Sequence, residues 1–492
     1  MFFFGRPSKS KEAVARRKPS AFMPRLESLE DRYNPGAYNF VGGAVGAANS
    51  WSTLANWTDN GGAPIALPGA ADDVTIGANK TANFDVAANV TIKSLTMGAG
   101  ATLDLGKVTA GGITLTVSGG NSTLGTANMA AATIKAQNSA VVANNANLTF
   151  SGAGSLTMNV FTASMAQTNA GGGLAGLSNL NINTKTVSVT GTVQLQANTT
   201  IGDGTNATDM TVNNGAFSIT PSRWGNFTIN TKSSVIITGG GGFTKDPNNN
   251  SPIVNKGNLV INVGAGNQYK IGPAIKGNQI IIMSGKVGAV IQGDGTTNVI
   301  VWSGAEIDST GGTSTFGAGD HINFVSDGDT TGINLDGAFL FNAGASEYFH
   351  AFELSKPNLA NIDTWMYGSF STTPISYAVN LNPDGNGVES WTGNDDTVTY
   401  DVYVGSSTIK HVTLNVTGSG TFNENGGTLT VNTTGSTPSS GTTVPLITSA
   451  SSSIVASFAS YVYTGYTWSI WSPGPHTFGL TTNQPPPVSP GS

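Results

Sequence analysis

The chain has 492 residues, 65 of them glycine and none cysteine, and only 10% are charged, against the roughly 25% of an ordinary globular domain. Without cysteine there is no disulfide framework, no thiol nucleophile and no Cys-ligated metal. The net charge of −6 is uneven. Eight basic and four acidic residues precede Gly36, leaving 14 basic against 24 acidic, with Arg223 as the sole arginine of that remainder; nucleic-acid binding, which needs clustered cations, is excluded for the body.

No apolar run approaches the roughly 18 residues of a membrane-spanning helix, so no transmembrane segment is expected. Residues 1–35 differ from the rest. Met1–Phe4 is too short for the apolar stretch of a signal peptide, and the basic tract Lys9–Lys18 follows it rather than preceding it. The tract Arg25-Leu26-Glu27-Ser28-Leu29-Glu30-Asp31-Arg32-Tyr33-Asn34-Pro35 resembles the N-terminal motif shared by planctomycete extracellular proteins, a repeated leucine–glutamate pair before an arginine and a closing proline. The resemblance implies export to the cell surface or beyond. Taken alone, the same residues also fit a short amphipathic helix with Leu26 and Leu29 on one face.

Residues 36–76 present Trp51-Ser52, Asn56-Trp57, Pro68-Gly69 and Asp72-Asp73-Val74-Thr75-Ile76. This order resembles the start of bacterial surface β-helix modules of the autotransporter-passenger type. The end of a repeat stack exposes core and unpaired strand edges. Trp51 and Trp57 are expected to cover that end; a sugar-binding platform is the alternative.

From Asn89 the grammar is period two. Val90-Thr91-Ile92, Leu95-Thr96-Met97, Ile113-Thr114-Leu115-Thr116-Val117 and Leu156-Thr157-Met158 each place apolar residues on one face of a short strand. Ile92, Ile113, Ile134 and Leu156 recur at roughly 21 to 22 residues, within the range of solenoid repeats. The pattern predicts an all-β, elongated parallel (right-handed) β-helix over 36–340. Within it, Gly239–Asn250 is expected to be a projecting loop, and the two Gly-Asp-Gly-Thr stretches, Gly202–Thr205 and Gly293–Thr296, matching corners. Residues 341–415 crowd aromatic residues and prolines, and are either an insertion or irregular rungs. Residues 416–482 return to strands and resemble the terminal rungs of autotransporter-type passengers. Asn483–Ser492 is a Pro-rich tail.

Signals for chemistry are thin. Arg223 is the candidate base of a polysaccharide-lyase-like site, with Asp203 and Asp246 one repeat away. The densest polar cluster is Asp320, His321, Asp327, Asp329, Asp336, Glu347, His350 and Glu353. Within it Asp327, Asp329 and Asp336 are candidate Ca²⁺ ligands, although Asp327–Gly332 lacks the closing Glu of an EF-hand loop. His321 and His350 with Asp320 and Glu353 are the transition-metal alternative. Trp365, Tyr367 and Trp391 are candidate glycan-stacking residues. The leading expectation is a non-catalytic extracellular or cell-surface protein with a structural or adhesive role, its partners extracellular polysaccharide or cell-envelope components. The alternatives are a carbohydrate-active β-helix enzyme, lyase- or hydrolase-like, and a glycan-binding module.

Overall fold

The computed structural model describes residues 35–482, except 45, 108–112, 127–128, 136–145, 159–160, 165–176, 196–197, 214–215, 220–225, 246–251, 358, 360–361, 363–369, 382–388 and 452–453. The chain divides between Pro35 and Gly36. Among the described residues from Ala37 onward it is all-β: short strands join one long, mostly parallel sheet, with three-residue 3₁₀ turns at Leu54–Asn56 and Leu105–Lys107.

The pairings form parallel ladders. A first ladder opens with Ala37–Phe40 against Asp73–Ile76 and closes with Thr428–Gly435 against Ser460–Thr464. A second runs from Thr81–Asn83 against Thr102–Asp104 to Ile409–Val416 against Thr443–Ser449. A third runs from Val90–Ile92 against Ile113–Ser118 to Thr421–Asn425 against Ile454–Ser457. Some strands bend and serve two ladders. Ile333–Phe341 pairs through Asn334–Gly337 in the second and through Ala338–Phe341 in the third. Gly337 makes that bend at φ 98°, and its missing side chain leaves room for the backbone of Ser309. An L-residue would meet both obstacles.

Alternation decides what is inside. Ile113–Ser118 buries every second residue, and such columns merge into one apolar core reaching from Tyr38 to Leu480. Aromatic rings stack along it. Phe324, Phe349 and Tyr400 follow at 4.9 and 4.4 Å, and Phe316, Phe341, Trp391 and Phe422 at 5.1, 4.5 and 6.0 Å. Trp51 and Trp57 lie at the start of this core, edge to face at 4.6 Å and 1% and 2% exposed. The Trp57 indole N–H donates to the Trp51 carbonyl at 2.8 Å.

The unbroken apolar runs Val235–Ile237 and Ile280–Ile282 bury both faces. Their outward residues Ile236 and Ile281 form, with Val260, Ile300, Trp302 and Val325, a second small core under Leu354 and Ile362. Burial on both faces is what a run without alternation requires. The aromatic-rich stretch is therefore divided. Phe341, Phe349, Trp391 and Tyr400 belong to the main core, whereas Phe370–Pro374 pairs antiparallel with Ser346–Leu354 as a side element. Within the expected loop Gly239–Asn250 the structure differs at Gly241–Lys245, a strand paired on both sides and anchored by buried Phe243, while 246–250 lie outside the described residues. Ladder hydrogen bonds need only backbone, so four glycines do not prevent it.

Candidate functional site

The most developed outer feature belongs to the second ladder. Successive registers place Gln268 beside Lys286, Lys286 beside Glu306, Glu306 beside Asn334, Asn334 beside Asn380, Asn380 beside Asn415 and Asn415 beside Thr448. One row of amide, ammonium, carboxylate and hydroxyl groups thus crosses the sheet. Its later members are linked directly: Asn380 donates to Asn334 at 3.0 Å, Asn415 to Asn380 at 3.2 Å and Thr448 to Asn415 at 2.7 Å. Its early members line an open groove of about 380 Å³, with Asn267, Gln268, Lys286, Glu306, Thr331 and Asn334 in its wall.

Lys286 is the electrostatic centre of the groove. Its ammonium lies 2.5 Å from Glu306, 3.3 Å from Asp308 and 3.5 Å from Asp336. Burial acts to lower its pKa, but the bonds and charges of Glu306 and Asp308 outweigh this and hold it above the ordinary lysine value. Burial likewise acts to raise Asp308, and hydrogen bonds from Thr310 and Lys286 bring it below the usual carboxylate value. An ammonium so paired is a fixed charge rather than a base.

A second polar row follows the first ladder. Asp401, Asn432 and Thr464 are in register, and His350 comes one residue after the last registered pair, Phe349 with Tyr400. His350 Nδ1 is 3.2 Å from Asp401, Asn432 donates to Asp401 at 3.2 Å, and Thr464 to Asn432 at 2.9 Å. The His350 ring stacks on Tyr348, with centroids at 5.5 Å, and lies tilted against Phe370 at 4.4 Å.

Inside the core is a carboxyl cluster. Glu347, Asp396 and Glu424 are 0%, 1% and 0% exposed. Their oxygens meet no well-formed N–H or O–H donor; Asp396 lies within reach of both glutamates, and the backbone N–H groups of Glu347 and Asp396 lie close to the cluster. The Trp391 indole N–H is the neighbouring donor to Glu424 but falls short of hydrogen-bond geometry. Burial first, then the charges of Asp396 and Glu424, drive Glu347 well above the carboxyl range. Burial, then Asp396, pushes Glu424 up to about 10. Asp396 is raised too, chiefly by burial. Glu347 and Glu424 therefore hold their protons at neutral pH, which lets carboxyls share hydrogen bonds in an apolar interior.

These positions revise the candidates from sequence. Trp391, expected as a glycan-stacking face, is 0% exposed between Phe341 and Phe422 and belongs to the core; its register beside Phe339 points it inward. Asp327, Asp329 and Asp336 do not converge on a Ca²⁺ position. Asp327 pairs with Lys356 at 2.6 Å, Asp329 accepts the backbone N–H of Thr331 at 2.8 Å, and Asp336 lies beside Lys286. Among the described residues, no group of three or more His, Asp or Glu side chains is arranged to hold a metal ion. Asp320 spends both oxygens on backbone N–H groups of Gly295, Thr297 and Gly317. Arg223, Asp246, Trp365 and Tyr367 lie outside the described residues. The Gly-Asp-Gly-Thr stretches occupy equivalent turns, each between a third-ladder and a first-ladder strand, with Asp203 and Asp294 accepting the N–H two residues on. No helix among the described residues is long and apolar enough to cross a membrane. No family model, no curated protein and no solved structure matches the chain.

Proposed function

We propose that this chain is an elongated right-handed parallel β-helix that acts outside the cell or on its surface as a non-catalytic structural and adhesive protein. The observation that carries the reading is the in-register row Gln268, Lys286, Glu306, Asn334, Asn380, Asn415 and Thr448. Neighbouring strands repeat at about 4.8 Å. A row of hydrogen-bonding groups at that spacing suits a linear, hydroxyl-rich polymer, so extracellular polysaccharide or cell-envelope material is the partner class. Crossovers between parallel strands of one sheet are almost always right-handed, which supports the coil's hand. The Arg25–Pro35 tract supports export.

The test is protease shaving and fractionation of intact cells, followed with an antibody to the body of the protein. Removal by external protease is the expected result; protection inside the cytoplasm overturns the reading. A second reading, a carbohydrate-active site, rests on Glu306 and Asp308, which share one outward face of Ala305–Phe316 beside the groove. Paired carboxylates at controlled separation are what glycoside hydrolysis needs. Polysaccharide turnover abolished by Glu306→Gln or Asp308→Asn, with the fold intact, would favour it over the adhesive role.

A further inference from the structure

The ladders end differently. The second is closed by the antiparallel strands Ser469–Gly474 and Thr477–Thr481, laid on Thr443–Ser449. The first ends at Ser460–Thr464, which pairs with Thr428–Gly435 on one side; among the described residues no strand pairs with its other side. The third ends at Ile454–Ser457, whose outer side is met at Ile454, where the backbone N–H donates to Pro475 at 2.8 Å. Side chains here are apolar and uncovered: Val455, Tyr461 and Val462 are 50%, 40% and 46% exposed. Tyr461 and Tyr463 continue the inward column of Leu429 and Val431.

Proteins normally blunt a free edge with charge, proline or a bulge, because its bare N–H and C=O groups recruit another strand. This edge has no such device. No Asp, Glu, Lys or Arg follows Glu424 in the sequence, so the whole closing region of an acidic chain is free of those charges.

We propose that Ser460–Thr464 pairs with the same strand of a second copy about a twofold axis, joining two molecules through this end of the sheet. A twofold contact lays a patch on itself, so a charged edge would meet its like, and an uncharged one does not. The opposite end of the sheet is not the partner, because Trp57–Asp59 already pairs antiparallel with Ala37–Phe40 and brings Asp59 to that edge. The tail Asn483–Ser492 is poorly suited to fill the position, because Pro485, Pro486, Pro487 and Pro490 have no N–H to give a ladder. A twofold axis makes the two edge strands antiparallel. With the axis through the centre of the strand, Val462 faces Val462 of the second copy, at the roughly 5 Å typical of directly opposed residues.

The natural lack of cysteine provides the test, since that spacing suits a disulfide. Sedimentation equilibrium of the full chain from micromolar concentration upward should give twice 50.1 kDa. Val462→Cys should give a covalent dimer on mild oxidation, while Ile65→Cys, at a position 89% exposed elsewhere on the surface, should not. Val462→Lys should return the mass to one chain with an unchanged β spectrum. A single-chain mass at every concentration overturns the proposal. So do crosslinking through Ile65→Cys alone, assemblies larger than two, or an association that Val462→Lys leaves intact.

Discussion

Burying Glu347, Asp396 and Glu424 together makes stability depend on pH in the direction opposite to ordinary acid denaturation. Burial and the neighbouring Asp396 push folded Glu424 up to about 10, against 4.5 for a free glutamate. Between those values the folded state keeps a proton that the unfolded state has released. Its contribution is complete below about 4.5 and is lost as pH rises toward its folded value. Each pH unit in the window removes about 1.4 kcal/mol per retained proton. From about pH 5 to about pH 8 each proton that the cluster retains weakens the fold by roughly 4 kcal/mol, with Glu424 and Glu347 both raised in this sense. His411 works against this at the acidic side: burial lowers its pKa, so its contribution disappears as pH falls below about 6.5. Asp73 and Asp308, held below 3.8, lose theirs only in stronger acid. The carboxyl effect is therefore isolated between about pH 6.5 and about pH 10, above which the raised Tyr269, Tyr377, Tyr400 and Lys286 add to it in the same sense. Thermal unfolding followed by circular dichroism should show the midpoint dropping steadily across that range. Glu424→Gln, and the double change with Glu347→Gln, preserve shape and remove the titrating groups, so the slope should flatten. A wild-type midpoint that stays level or rises above neutrality, or a slope unchanged in the double variant, would refute the argument.

Trp57→Ala should destabilise the fold by about 3 to 5 kcal/mol, the usual result of emptying a buried aromatic site, with earlier proteolytic cleavage near residues 37–59; chemical denaturation that matches wild type would show that Trp57 does not secure this end. Lys286→Met leaves Asp336, 3% exposed, and Glu306 without their cation, so about 2 to 4 kcal/mol should be lost near neutrality and largely regained near pH 4, where carboxyls protonate; equal loss at both pH values would contradict the charge-clamp role. Asn380→Ala interrupts the amide row at a position that both donates and accepts, which should weaken the protein by about 1 to 2 kcal/mol in urea melts; an effect as small as that of an exposed threonine would mean the row contributes nothing to stability.

The sequence by itself determined the local geometry. Period-two triplets such as Ile113–Val117 state which residues face inward, because successive side chains on a strand point to opposite sides. Tryptophans at 51 and 57 announced a closed end, and the absence of helical spacing announced an all-β chain. Only the tertiary structure decided which inward and outward residues became neighbours. Asn334, Asn380, Asn415 and Thr448 are separated by 46, 35 and 33 residues, so no fixed repeat exposes their alignment; connections of unequal length absorb the difference while the ladders keep register. The same choice of register placed Trp391 inside, where aromatic crowding had suggested a binding face, and supplied Lys286 to Asp336, where a row of carboxylates had suggested calcium. Glu347 and Glu424 show the limit most directly. A local pattern assigns an acidic residue to water, and only the fold buries these two in an apolar interior, where desolvation first and the neighbouring carboxyls second make it favourable for them to keep their protons.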